Sequence, residues 1–140
     1  MTAEEIIALL DLVPHPEGGH YRETWAAPAE AGERPPGTCI YFLLRAGEAS
    51  HWHHVDATEI WHHYAGAPVE LRIADSDEGP AQRLMLGPDL AAGQRPQGIV
   101  PVGHWQAARA TGGWALVGCT VSPGFDFAGF TLAPPDFDIR

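Results

Sequence analysis

Turn-forming residues cut this chain into many short segments, and that punctuation limits the possible folds more than any other feature of the sequence. Sixteen glycines and thirteen prolines are spread through 140 residues. Between them lie β-prone runs at residues 38–44, 51–54, 59–64, 69–73, 83–86, 98–106, 114–121 and 125–132. Short strands at this spacing are the pattern of jelly rolls and barrels. The chain is therefore expected to be all-β, with one domain over residues 1–140 and a single core. The run TCIYFLL at 38–44 is strongly β-prone, which predicts a strand covered on both faces.

One helix is expected. Thr2 and Glu5 have capping-box spacing ahead of Ile6, Ile7, Leu9, Leu10 and Val13, which recur at roughly helical period. Pro14 is expected to stop it. The apolar face is expected to pack on the outside of the barrel or to cover one end. Residues 26–37, rich in Ala, Pro, Glu and Gly, read as an exposed loop.

Charge removes several functions. The formal net charge is -10, and all eight basic residues are arginines with no cluster among them. Nucleic acid and anionic membrane surfaces are poor partners for such a chain, because both demand grouped cations. Without lysine there can be no lysine Schiff base and no pyridoxal phosphate held in the usual way. Early acids and no basic stretch at the amino terminus, with no apolar run near the roughly 20 residues of a membrane span, predict a cytoplasmic location. Cys39 and Cys119 sit in apolar runs without CxxC spacing and read as buried thiols.

Six of the eight histidines fall between His51 and His104. Strand alternation puts His51 and His53 on one face with Trp52 opposed, and Glu59, Trp61 and His63 on one face of the next strand. A hairpin turn at 56–58 is expected to bring His51, His53 and Glu59 together. Two imidazoles and a carboxylate are the donors that Zn, Fe, Mn or Ni sites use. Tyr64 alternates away from Glu59 and reads as core or interface.

His51-Trp-His53, Glu59 and Gly66 resemble the first cupin motif, and Gly98–Gln106 (GIVPVGHWQ) resembles the second. The chain also resembles a narrower group, the Cupin_5 or DUF985 family, through residues 15–24, 40–44, 59–66, 100–106 and 118–125. That resemblance implies a double-stranded β-helix, commonly a homodimer, in a family often described as predicted sugar epimerases. It implies one divalent metal ion on His51, His53, Glu59 and the position filled by Gln106. Three departures are visible. Glu59 lies one residue further from His53 than usual, Arg45 replaces a leading Gly, and Gln106 stands where the last His is expected. His104, two residues earlier, is expected to share the Gln106 face or line the pocket mouth.

The expected site therefore has His53, His63 and Glu59 as acid–base groups, with Tyr21, Arg22, Trp61 and His104 against a small-molecule ligand. Arg22 could clamp an anionic group or pair with Glu17 or Glu23. Three functions follow: proton transfer on a sugar-like or small polar metabolite, as in an epimerase or isomerase; metal-dependent chemistry of the dioxygenase, lyase or isomerase type; or ligand binding without catalysis.

Overall fold

The computed structural model describes all 140 residues as two antiparallel sheets. Helix α1 (Ala3–Leu10) opens the chain, with Thr2 accepting a hydrogen bond from the Glu5 amide as its N-cap. The helix ends before Pro14: Asp11 takes a left-handed conformation (φ 56°), and its amide donates to the carbonyls of Ala8 and Ile7. An aspartate tolerates that conformation better than most residues, so the stop comes three residues earlier than expected.

Strands β1 (Val13–Pro14), β2 (His20–Ala26), β3 (Thr38–Leu44), β5 (Thr58–Gly66), β8 (Gln97–Val100) and β10 (Ala115–Ser122) form one sheet in the order β1-β2-β3-β10-β5-β8. The second sheet has the order β11-β4-β9-β6-β7. Its members are β4 (Ala49–Val55), β6 (Val69–Ala74), β7 (Gln82–Leu86), β9 (Trp105–Ala110) and β11 (Phe130–Leu132). Inward residues of both sheets, among them Phe42, Trp61, Val117, Leu71 and Leu86, make one buried cluster. Leu43 points the other way, where Ile6 and Leu12 cover it. Strand β3 is thus buried on both faces, and α1 lies on the outside of the barrel.

The 56–58 turn does not make a hairpin. β4 pairs with β9 and β11, whereas β5 pairs with β10 and β8. The chain passes from one sheet to the other at this corner, so His53 and Glu59 approach across the barrel interior. Arg34 fastens the corner from outside. Its guanidinium meets the Asp56 carboxylate at 2.7 and 3.1 Å and the Gly124 carbonyl at 2.6 Å. The 98–106 run is likewise two strands, divided by a turn at 101–104 that contains Gly103 at φ 75°.

A β-bulge in β4 reorganises the expected face. Ser50 pairs with Ala108 and His53 with Gln106, leaving two residues of β4 opposite one of β9. The extra residue restores inward orientation after three positions instead of two. Ser50 and His53 are therefore buried together. Trp52 packs outward on Ala74, Ala107, Ala133 and Ile139. The free amide of His51 donates to the Glu17 carbonyl (2.8 Å).

That bond depends on the Gly18-Gly19 turn. Gly18 has φ 107°, and a Cβ there would lie 2.3 Å from the Ala49 carbonyl oxygen; Gly19 has φ 79° and a Cβ would strike the Phe42 ring at 2.6 Å. Both strain and collision oppose any side chain. Gly18→Ala is expected to destabilise the fold by about 2 kcal/mol or more, read as a lower midpoint in urea unfolding with unchanged slope.

Candidate functional site

A cavity of about 320 Å³ opens at one end of the barrel. Tyr21, Phe42, Trp61, Phe125 and Phe127 supply aromatic walls, and Glu17, Glu59, Glu23 and His15 supply the polar ones. Strand alternation on β2, β3, β5 and β10 aims these side chains inward, while the 123–129 segment folds Phe125 and Phe127 over the opening.

Glu17 is the centre of the polar wall. It is 9% exposed, and one of its oxygens accepts a hydrogen bond from Ser50. Its other oxygen lies 3.3 Å from His15 Nδ1 and 3.5 Å from His53 Nε2. The neighbours fix the tautomers of both rings. His15 Nδ1 accepts from the Glu17 amide (3.1 Å), and His53 Nδ1 donates to the His51 carbonyl (2.7 Å), leaving Nε2 as an acceptor. The free lone pair of His53 Nε2 facing this carboxyl group suits a protonated acid that can donate to it. Burial favours the same state and pushes the Glu17 carboxyl up to about 8, against the opposing Ser50 bond.

Glu59 lies on β5 of the six-stranded sheet, 7% exposed. Burial pushes its carboxyl up to about 7; the His53 charge opposes this and Glu17 reinforces it. Gln106, wholly buried, positions it: the amide nitrogen donates to Glu59 (2.9 Å), while the amide oxygen accepts from the Trp61 indole (2.7 Å). Burial lowers the pKa of His53, and it lowers that of His15 to about 4, where the His53 charge adds to the effect. The buried Cys119 thiol is pushed well up by the same cause, with Glu59 and Glu17 contributing. The site at neutral pH is thus poor in positive charge and rich in groups poised to gain or lose protons.

The expected residues divide in two. Glu59, Trp61 and Tyr21 line the cavity, and His53 and Gln106 stand directly behind its carboxyls. The other four lie elsewhere. His51 faces an outer groove, with Nε2 2.8 Å from the Pro134 carbonyl, because the bulge turns it away from His53. His63 falls on the inward parity, yet its Nε2 is 2.8 Å from the Ala67 carbonyl and away from the cavity. His104 belongs to the 101–104 turn rather than to β9, so parity with Gln106 does not apply; it lines a separate depression with Asp75 and Gln82. Arg22 is exposed on the outer face, 4.0 Å from Asp11, and pairs with neither Glu17 nor Glu23. Asp138, exposed at the surface, accepts from the Trp52 indole at 2.9 Å.

The residues do not fit a cupin-type metal centre. His51 is turned out, and the Gln106 oxygen is committed to Trp61, so two of the four expected donors are missing from the interior. No three His, Cys, Asp or Glu side chains converge in a way that could hold a metal ion.

Sequence reasoning missed Glu17, His15 and Ser50. The paired glycines after Glu17 were the available signal, since residues free of side chains let the turn press against β4 and carry the carboxyl inside.

Two facing antiparallel sheets closed around an end cavity define a cupin-type barrel. The family model described as Cupin superfamily (DUF985) matches residues 4–133, and the chain belongs to that family, Cupin_5. A protein of known structure from Shewanella oneidensis is 42% identical, with TM-score 0.88 over 95% of this chain and 85% of its own. A hypothetical protein from Leishmania major is 32% identical, with TM-score 0.85 over 95% and 88%. Oxalate decarboxylase from Bacillus subtilis, described with Mn(II) centres, is 14% identical, with TM-score 0.65 over 88% of this chain and 30% of that one. At that identity the likeness is one of fold. No curated protein matches the chain. No helix is long and apolar enough to cross a membrane.

Proton linkage gives stability a direction. A carboxyl raised by folding contributes fully below its ordinary pKa of 4.5, and the contribution is lost as pH rises through the folded value. A lowered histidine opposes this only below its ordinary 6.5. Between about 6.5 and 8 the carboxyls act alone. The thermal midpoint is expected to fall across that window, and Glu17→Gln to flatten the fall; melts followed by circular dichroism at stepped pH check both.

Proposed function

We propose that the interior cavity binds a small organic molecule and transfers protons to and from it, the chemistry of an isomerase or epimerase, with Glu17 and Glu59 as the acid and base. The observation that carries this reading is the pair of buried carboxyls lining one cavity, Glu59 from β5 and Glu17 from the turn ahead of β2, each pushed up toward neutrality by burial. General acid–base catalysis is most effective when the group's pKa lies near the working pH. Two such groups lining one cavity can remove a proton from a bound molecule and return one to it.

Glu59 is the base in this scheme, because the His53 charge and the Gln106 hydrogen bond favour its ionised form, whereas Glu17 has only the Ser50 bond to do so. Gln106 holds one of its oxygens and leaves the other for the ligand. Glu17 is the acid, with His53 Nε2 and Ser50 behind it to resupply or accept its proton. His53 is a positioning residue rather than one that touches the ligand. The aromatic walls exclude water, which strengthens each of these interactions.

The test is solvent-deuterium incorporation. Metabolite pools are screened by thermal shift, and each hit is incubated with the protein in D2O. A cavity ligand is expected to gain deuterium at carbon, and Glu59→Gln to slow the exchange on the order of 100-fold. A hit that binds in the cavity and exchanges equally in the variant would leave ligand binding without catalysis as the function.

A further inference from the structure

Resting on the cavity assigned above, we infer that its ligand is an organic cation, an amine with an aromatic or aliphatic body, held by the Glu17 and Glu59 carboxyls within a cage of aromatic rings. The argument is one of what remains free to meet a ligand. The Trp61 indole N–H is taken by Gln106, and the Gln106 amide nitrogen is taken by Glu59. His15 Nδ1 is taken by the Glu17 amide, and the Ser50 hydroxyl by the Glu17 side chain. Apart from the Tyr21 hydroxyl, His15 Nε2 and the Cys119 thiol beside Glu59, the polar atoms left on the wall are carboxyl oxygens of Glu17, Glu23 and Glu59.

No arginine lines the cavity, and the chain has no lysine. A carboxylate or phosphate would find no countercharge in the cavity and would have to be buried beside Glu59 and Glu23, at a cost that rises steeply in a dry site. A sugar presents donors and acceptors around its whole ring, and most of this wall is hydrocarbon that cannot meet them. An ammonium group is all donor and positively charged. It answers the acceptors, supplies the charge that the buried carboxyls lack, and places C–H groups against ring faces that attract cations. Tyr21, Phe42, Trp61, Phe125 and Phe127 provide five such rings.

The experiment compares one molecular frame in three charge states. Benzylamine, benzyl alcohol and benzoate are titrated by calorimetry into the full-length protein and into Glu59→Gln and Glu17→Gln, at neutral pH and moderate salt. Benzylamine is expected to bind at least about tenfold more tightly than benzyl alcohol, benzoate not at all, and either substitution to erase the preference. Using three ligands on the unaltered protein keeps the comparison valid even if a variant fails to fold. Equal or tighter binding of benzyl alcohol overturns the cation, while its sensitivity to Glu59→Gln would leave the cavity assignment standing. A benzylamine preference that survives both substitutions places the amine on the acidic outer surface and overturns the inference. Loss of all binding differences between the unaltered protein and the variants, for every frame, would sink the cavity assignment as well.

Discussion

The site depends on a carboxyl group that folding carries out of water. Glu17 reaches the barrel interior because two glycines adopt backbone conformations closed to other residues and press the turn against β4. The bulge in β4 receives it, giving up one ladder position so that the His51 amide can bond the Glu17 carbonyl. Ser50 and His53, turned inward by the same bulge, then meet the side chain. A carboxylate without a cation is costly in such surroundings, and the group keeps its proton instead. Everything proposed for the cavity follows from that unpaid charge and its counterpart on Glu59.

Separate polar partners explain why two acids can coexist here. Glu59 comes from β5 and Glu17 from the turn before β2, and each is steadied by a different polar partner. Gln106 links Glu59 to the Trp61 indole, so the group standing where other cupins place a metal-binding histidine serves as a hydrogen-bonded strut. The bulge and this glutamine act together. One removes His51 from the interior and the other occupies the oxygen that could have replaced it. The barrel is that of a cupin, while its interior presents two buried acids.

Much of the fold was legible from local pattern. The capping box of α1 and the strongly β-prone run of β3 have clear physical signatures and appear where expected. Glu59 and Trp61 face inward because β5 is regular at those positions. Alternation failed at His51, since a bulge depends on what the neighbouring strand and turn require and leaves no mark on the strand's own residues. The 56–58 corner was misread as a hairpin for a related reason: three turn residues look alike whether the next strand joins the same sheet or the facing one. Glu17 was hidden by its setting, since an acid between proline and glycines reads as a solvated turn until the contacts around it are known.

The most direct test is a carbon-13 NMR titration of the two side-chain carboxyls in the ligand-free protein, assigned with Glu17→Gln and Glu59→Gln. The account predicts midpoints of about 8 for Glu17 and about 7 for Glu59. Midpoints near the ordinary 4.5 for both would mean that these groups are solvated or paired with cations, and would contradict the buried acid pair.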